Sequence, residues 1–263
     1  MSWPVRGGTA VTAMVVALSA VGCGSDDSST AGTGDAASGS PEATPVIDPG
    51  DGGNYQPDLD PANFVDVIDN PYMPFQPGMR WVYEGESDGE AERIEVVVTG
   101  DRRDIQGISA TVVRDTVHVA GELVEDTYDW FAQDAEGNVW YVGEDSTSYE
   151  PDGTTSKDGS WEYGVDGALP GIVMLADPSV GDSYRQEFYP DEAEDLGEVI
   201  SVDETKTIGI GEYTDVVVTE DWNPLDPETI ENKYYAPSVG KIYSEHTRGD
   251  PETVELVEFI AGS

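Results

Sequence analysis

Cysteine, histidine and basic side chains are nearly missing from this chain. Its 263 residues hold one Cys, two His and 12 Lys plus Arg against 54 Asp plus Glu, a formal charge of −42. A single Cys excludes an internal disulfide framework and any multi-cysteine zinc centre. The shortage of Lys and Arg excludes a nucleic-acid binder, because neutralising phosphates takes basic clusters. It equally excludes a polybasic attachment to anionic lipid. Enzyme signatures are missing too: there is no G-x-S-x-G elbow, H-E-x-x-H pair, Walker loop or Rossmann glycine pattern. His118 and His246 have no recognisable catalytic partner in sequence, and no EF-hand loop is present.

The N-terminus reads as an address. Residues 1–23 run MSWPVRGGTAVTAMVVALSAVGC, with Arg6 supplying a short positive region and Thr9 to Val21 an apolar one. The apolar stretch is shorter than the roughly 20 residues a membrane-spanning helix needs. It ends in Ala20-Val21-Gly22-Cys23, which resembles the bacterial lipobox, with Ala20 where Leu is usual. That resemblance implies a lipoprotein signal peptide over 1–22 and a lipidated Cys23 as the mature N-terminus. The alternative is ordinary signal cleavage that leaves Cys23 a free thiol. Two acyl chains hold a protein stably on a membrane where one does so marginally. No twin-arginine pair precedes the stretch, so general secretion is the expected route. The expected location is the extracytoplasmic face of the cell membrane, with the lipid as the membrane contact. From Cys23 to residue 57 Gly, Ser, Ala, Asp and Pro dominate, a composition that predicts a disordered acidic tether.

Residues 58–263 read as one all-β domain. Ile94, Val96 and Val98 alternate with polar neighbours, and similar runs cover Ser109–Val119, Glu122–Gln133, Val139–Gly143 and Ser183–Tyr189. Later runs are Thr214–Glu220, Lys233–Tyr235, Lys241–His246 and Val254–Ile260. Each is rich in Val, Ile, Thr, Tyr or Trp and is bounded by Gly, Asp, Asn or Pro. Ala120-Gly121-Glu122 and Asp134–Asn138 carry hairpin signals. Pro61–Ile68 and Pro170–Leu175 are the best short helical candidates. Strands at this spacing predict an antiparallel sandwich or a strongly curved sheet with few short helices.

Four stretches carry a resemblance. Asn70-Pro71-Tyr72 through Pro77-Gly78 into Trp81-Val82-Tyr83, and Tyr234-Tyr235-Ala236-Pro237-Ser238-Val239-Gly240, are similar to an uncharacterised group of secreted bacterial lipoproteins. Its motifs are Asn-Pro-Tyr…Pro-Gly…Trp-x-Tyr and Tyr-Tyr-Ala-Pro-x-Val-Gly. Leu123–Glu144 and Gly159–Glu187 resemble the same group, which implies class and location only. Ser238 stands at the position after the Pro where Gly is usual.

Aromatic residues at strand positions ordinarily pack a core, yet Trp81, Trp130, Trp140 and Trp161 are also candidates for a ligand-binding cleft. Arg114 and Arg185 join them because arginine is scarce here; each is expected to face a carboxylate such as Glu125 or Glu187. Glu125, Asp126, Asp129, Glu144 and Asp145 lie on neighbouring predicted strands, where they could gather around Ca²⁺. Otherwise no cofactor is expected, and acids this abundant also read as a solvated face that keeps a secreted or halophilic protein soluble. The expected function is non-enzymatic binding of a small molecule, glycan, lipid or envelope protein. The alternatives are a carboxylate-dependent extracytoplasmic hydrolase or a Ca²⁺-stabilised envelope module.

Overall fold

The computed structural model describes residues 55–87 and 89–262. The expected signal peptide, Cys23 and the part of the expected tether before Tyr55 lie outside the described residues. A single 3₁₀ turn, Pro61–Asn63, precedes β1, Phe64–Val65. There follow β2 Arg80–Ser87, β3 Glu90–Ile105, β4 Ile108–Val119, β5 Glu122–Asp134 and β6 Val139–Tyr149. Short strands come next: β7 Thr155–Ser156, β8 Trp161–Glu162, β9 Leu169–Met174, β10 Ser183–Arg185 and β11 Glu187–Phe188. Long ones close the chain: β12 Leu196–Ile208, β13 Gly211–Asn223, β14 Asp226–Ala236, β15 Gly240–Arg248 and β16 Thr253–Ile260. The two helical expectations fail. Pro61–Ile68 forms one 3₁₀ turn and then pairs as strand, and Pro170–Leu175 is mostly β9. Neither run has enough apolar period to hold a helix off a waiting sheet edge.

Every pairing is antiparallel, and the sheet order is β10-β12-β13-β14-β15-β16-β2-β3-β4-β5-β6-β9-β11. The two ends of that order are halves of one segment. Ser183–Arg185 pairs with β12 and Glu187–Phe188 pairs with β9, with Gln186 between them. A sheet whose first and last strands are consecutive pieces of chain has curled until its edges meet. The curved-sheet expectation therefore holds, in the form of a single, nearly closed antiparallel barrel, which removes the exposed edges that an open sheet would leave.

The hairpins explain the register. Ala120 and Gly121 both take positive φ, 51° and 85°, the left-handed pair that matches strand twist in a two-residue turn. At the β5–β6 turn the Asp134 carboxylate accepts from the backbone N–H groups of Glu136, Gly137 and Asn138 at 3.0, 2.8 and 2.9 Å. Its second oxygen accepts from Asn138 Nδ2 and Trp140 Nε1, at 2.9 and 2.8 Å.

Period-2 alternation turns one residue set of each strand inward and the other out. The outer face of β4–β6 carries Val112, Trp130 and Trp140, covered by Leu59, Phe64 and Ile68 from the segment before β2. That segment then brings the Phe75 ring 5.8 Å from Trp81 and 5.0 Å from Phe131. Tyr55, in the sequence a tether residue, is already part of this body: its hydroxyl donates to the Pro170 carbonyl at 2.6 Å.

Candidate functional site

The inward residues do not fill the barrel. They surround a cavity of about 650 Å³, within the range of about 300–1,000 Å³ of small-molecule sites. Its wall changes character along the strands. The inner end is apolar: Phe75, Trp81, Val96, Val113, Phe131 and Tyr141 line it, with Phe131 stacked on Tyr141 at 4.8 Å. One step outward along the cavity-facing residues of β4, from Val113 to Asp115, and of β5, from Phe131 to Asp129, replaces apolar surface by carboxyl. Asp129 stands directly opposite Glu144 on β6, and Asp115 opposite Thr127. Further out come Glu125 and Glu92, and the exposed Asp226 and Asp250 line the outer end.

These carboxyls are held away from bulk water, and burial shifts them upward. Asp129 is pushed up to about 6, against the pull of the Tyr141 hydroxyl, which donates to its Oδ1 at 2.6 Å. Burial likewise lifts Glu125, Glu92 and Asp195 to about 7. Asp115 and Glu144 are raised well above the carboxylate range by burial and then by the Asp129 charge. Like charges in a low-dielectric wall cannot all ionise, so the belt holds protons at neutral pH. The opposite wall is different. Lys233 Nζ lies 2.9 Å from Asp221 and 3.5 Å from Glu231. Burial alone would raise Glu231, but the Lys233 and Lys241 charges outweigh it and the carboxyl falls below its usual value.

The sequence-picked residues divide between the two faces. Trp81 lines the cavity. Trp161 sits behind it, edge-on to Tyr141 at 5.3 Å, its Nε1 donating to the fully buried Glu187 at 2.7 Å. Trp130 and Trp140 belong to the outer core, Trp130 under the Arg103 guanidinium at 3.9 Å. Arg114 is also outside the cavity, and its partner is Asp126 rather than Glu125, a fork of 2.7 and 2.8 Å. Arg185 is buried with its guanidinium over the Phe188 ring, 4.3 Å from the centroid.

Of the five acids grouped around Ca²⁺, the pleat brings Glu125, Asp129 and Glu144 to the cavity. It turns Asp126 out to Arg114 and Asp145 out to Lys157. Among the described residues no three Asp, Glu, His or Cys side chains converge as a metal site. Reading the sequence missed Asp115, Glu92, Asp195 and Asp221. The signal for Asp115 was there: it falls between Val113 and Val117 on the apolar phase of an alternating strand, where an acid must be buried.

Fold and site together define a class: an antiparallel barrel around an amphipathic, carboxyl-rich cavity. No family model matches the chain, and no curated protein matches it. Two solved structures share part of the chain course. A candidate exported protein with a YmcC-like fold from Bacteroides fragilis is 14% identical, with a TM-score of 0.42 over 72% of this chain and 99% of that one. A candidate lipoprotein from Parabacteroides distasonis is 13% identical, with a TM-score of 0.38 over 73% of this chain and 99% of that one. Likeness at this level carries no activity across.

Proposed function

We propose that this protein is a lipid-anchored extracytoplasmic binding protein whose barrel takes up one small amphipathic molecule. The supporting observation is the 650 Å³ cavity, aromatic at its inner end and carboxyl-rich further out. An apolar body is desolvated against Phe75, Trp81 and Phe131 at roughly 25 cal/mol per Å² of buried surface, while polar groups meet the carboxyl belt. The Ala20-Val21-Gly22-Cys23 sequence supports the location. Cys23→Ala should move the protein from the membrane fraction to the soluble one; retention on membranes removes the anchor. With the soluble Cys23→Ala protein, Nile red should bind at one site with a blue-shifted, saturable emission. Val96→Phe, which narrows the apolar end, should abolish that signal while the melting temperature stays within a few degrees. Unsaturable or variant-insensitive emission would sink the binding reading.

The opposed Asp129 and Glu144 favour a second reading, glycoside hydrolysis. Directly facing strand residues have Cβ atoms about 4.5–5.5 Å apart, close enough for a nucleophile and an acid. Turnover of aryl glycosides that Glu144→Gln abolishes would establish it.

A further inference from the structure

We propose that the ligand of the cavity is an amphipathic cation, an alkyl- or aryl-ammonium whose charged head sits among Asp115, Asp129 and Glu144. Its apolar body would lie against Phe75, Trp81 and Phe131. The inference rests on the reading of the barrel as a binding protein and names the chemistry of what it binds.

The charges facing the cavity are unbalanced. From β4 and β5 come Asp115, Glu125 and Asp129, from β6 Glu144, and from β3 Glu92. Asp195 and Asp221 face them from the closing wall, with Glu231 from β14 and Glu252 from the loop before β16. The basic side chains on this wall are Lys233, Lys241 and His246. Lys233 is committed to Asp221 and Glu231. The Lys241 ammonium lies 5.0 Å from the Tyr83 ring centroid, and the His246 Nδ1 is 3.0 Å from the Asp250 carbonyl. Among the described residues no lysine, arginine or histidine forms an ion pair with Asp115, Asp129 or Glu144. Beside the Asp129 charge, Asp115 and Glu144 stay uncharged only by holding protons.

A second observation points the same way. Glu92 and Asp221 are only 3% and 6% exposed, yet each has a carboxyl oxygen without a hydrogen-bond partner, and both line the cavity. Asp115 Oδ1 is in the same state. A buried acceptor left unmatched forfeits its hydration with nothing in return, so a wall with several is short of donors. An ammonium brings three donors and a positive charge to a site of low dielectric. The aromatic rings beside the belt accept a cation over their faces as well. A fatty acid fits the apolar end but puts a further anion among carboxyls. The exposed acids at the outer end draw cations in and turn anions away.

The charge balance of binding is simple. The ammonium keeps its proton; its counter-anion is the Asp129 carboxylate, and the part of Asp129 still protonated gives its proton to solvent. The test uses calorimetry of the Cys23→Ala protein at pH 6.5 in two buffers of different ionisation enthalpy. Decylammonium, decanoate and decanol serve as probes. Decylammonium should bind one to one with release of less than one proton, and decanoate at least tenfold more weakly. Asp129→Asn and Glu144→Gln should each cost the amine tenfold or more and leave decanol unchanged, with melting temperatures preserved. Equal affinity for decanoate or decanol overturns the cation while the binding barrel stands. Nile red bound at one site with no affinity for decylammonium overturns it too. Absence of any saturable ligand, Nile red included, means that the binding reading itself has failed.

Discussion

At the residue scale the strongest single side chain in the turns is Asp134. Its two oxygens collect three backbone N–H groups, an amide and an indole, so removing it strands five donors at a hairpin that also sets the β5–β6 register. Asp134→Ala should destabilise by about 3 kcal/mol, lowering the melting temperature by about 6–12 °C at roughly 2–4 °C per kcal/mol. Calorimetry checks this, and a loss under 1 °C would mean the turn is held by packing alone. Ser238 is the opposite case. Its φ of 65° is left-handed, a conformation costing a side-chain-bearing residue roughly 1–2 kcal/mol, and its N–H donates to Pro71 at 2.7 Å. Ser238→Gly relieves that strain, partly offset by the greater freedom of glycine when unfolded. A rise of about 1–4 °C is expected, and a fall would show that the hydroxyl has a role of its own.

At the element scale the barrel depends on its seam. A Cβ on Gly171 in β9 would lie 2.3 Å from the Gln186 carbonyl carbon and 2.4 Å from the Arg185 oxygen, and both of these are backbone that cannot swing aside. Gly171→Ala should push β9 off the β10–β11 segment, lowering stability and raising amide exchange in 183–188 before the rest of the sheet. Uniform protection would refute the seam. Most strands were legible because their hydrophobic residues alternate, β4 and β5 within a residue or so of the expected ends. The strand β12 was not. Its acids and lysine, Asp203, Glu204 and Lys206, fall in a bulged stretch where the register to β13 shifts repeatedly, so no clean period-2 signal survives. Arg114 was misassigned for a related reason. The neighbour of a strand residue depends on register, and register follows from turns and bulges rather than from composition.

At the scale of the whole molecule two electrostatic effects oppose the fold as pH rises. One is long-range repulsion within a chain of charge −42. The other is the buried belt. Glu125 titrates at about 7 when folded against an ordinary 4.5. Its protonated form is favoured in the fold, so its stabilising effect is complete below about pH 4.5 and is lost as pH passes 7. For that shift the loss is on the order of 3 kcal/mol. The melting temperature should therefore fall between pH 5 and pH 8, and Glu125→Gln should shrink the fall. Salt separates the two effects. Raising NaCl from about 0.01 to 1 M shortens the screening length from about 30 to 3 Å, which relieves surface repulsion but leaves the buried belt unscreened. If 1 M NaCl abolishes the pH dependence altogether, the belt is solvated and not buried.

The amino-acid sequence alone determined the all-β class, the single domain, most strand limits and the overall acidity. Alternation, turn residues and composition act locally, and each can be read without knowing a neighbour. Only the tertiary structure decided that the sheet closes at Gln186, that Phe75 packs between Trp81 and Phe131, and that Asp129 meets Glu144 while Asp126 and Asp145 turn away. Those facts depend on which strands become partners and on which side of the pleat each residue falls. A one-residue bulge reverses that side, and with it whether an acid is a solvated surface charge or a proton held inside a cavity.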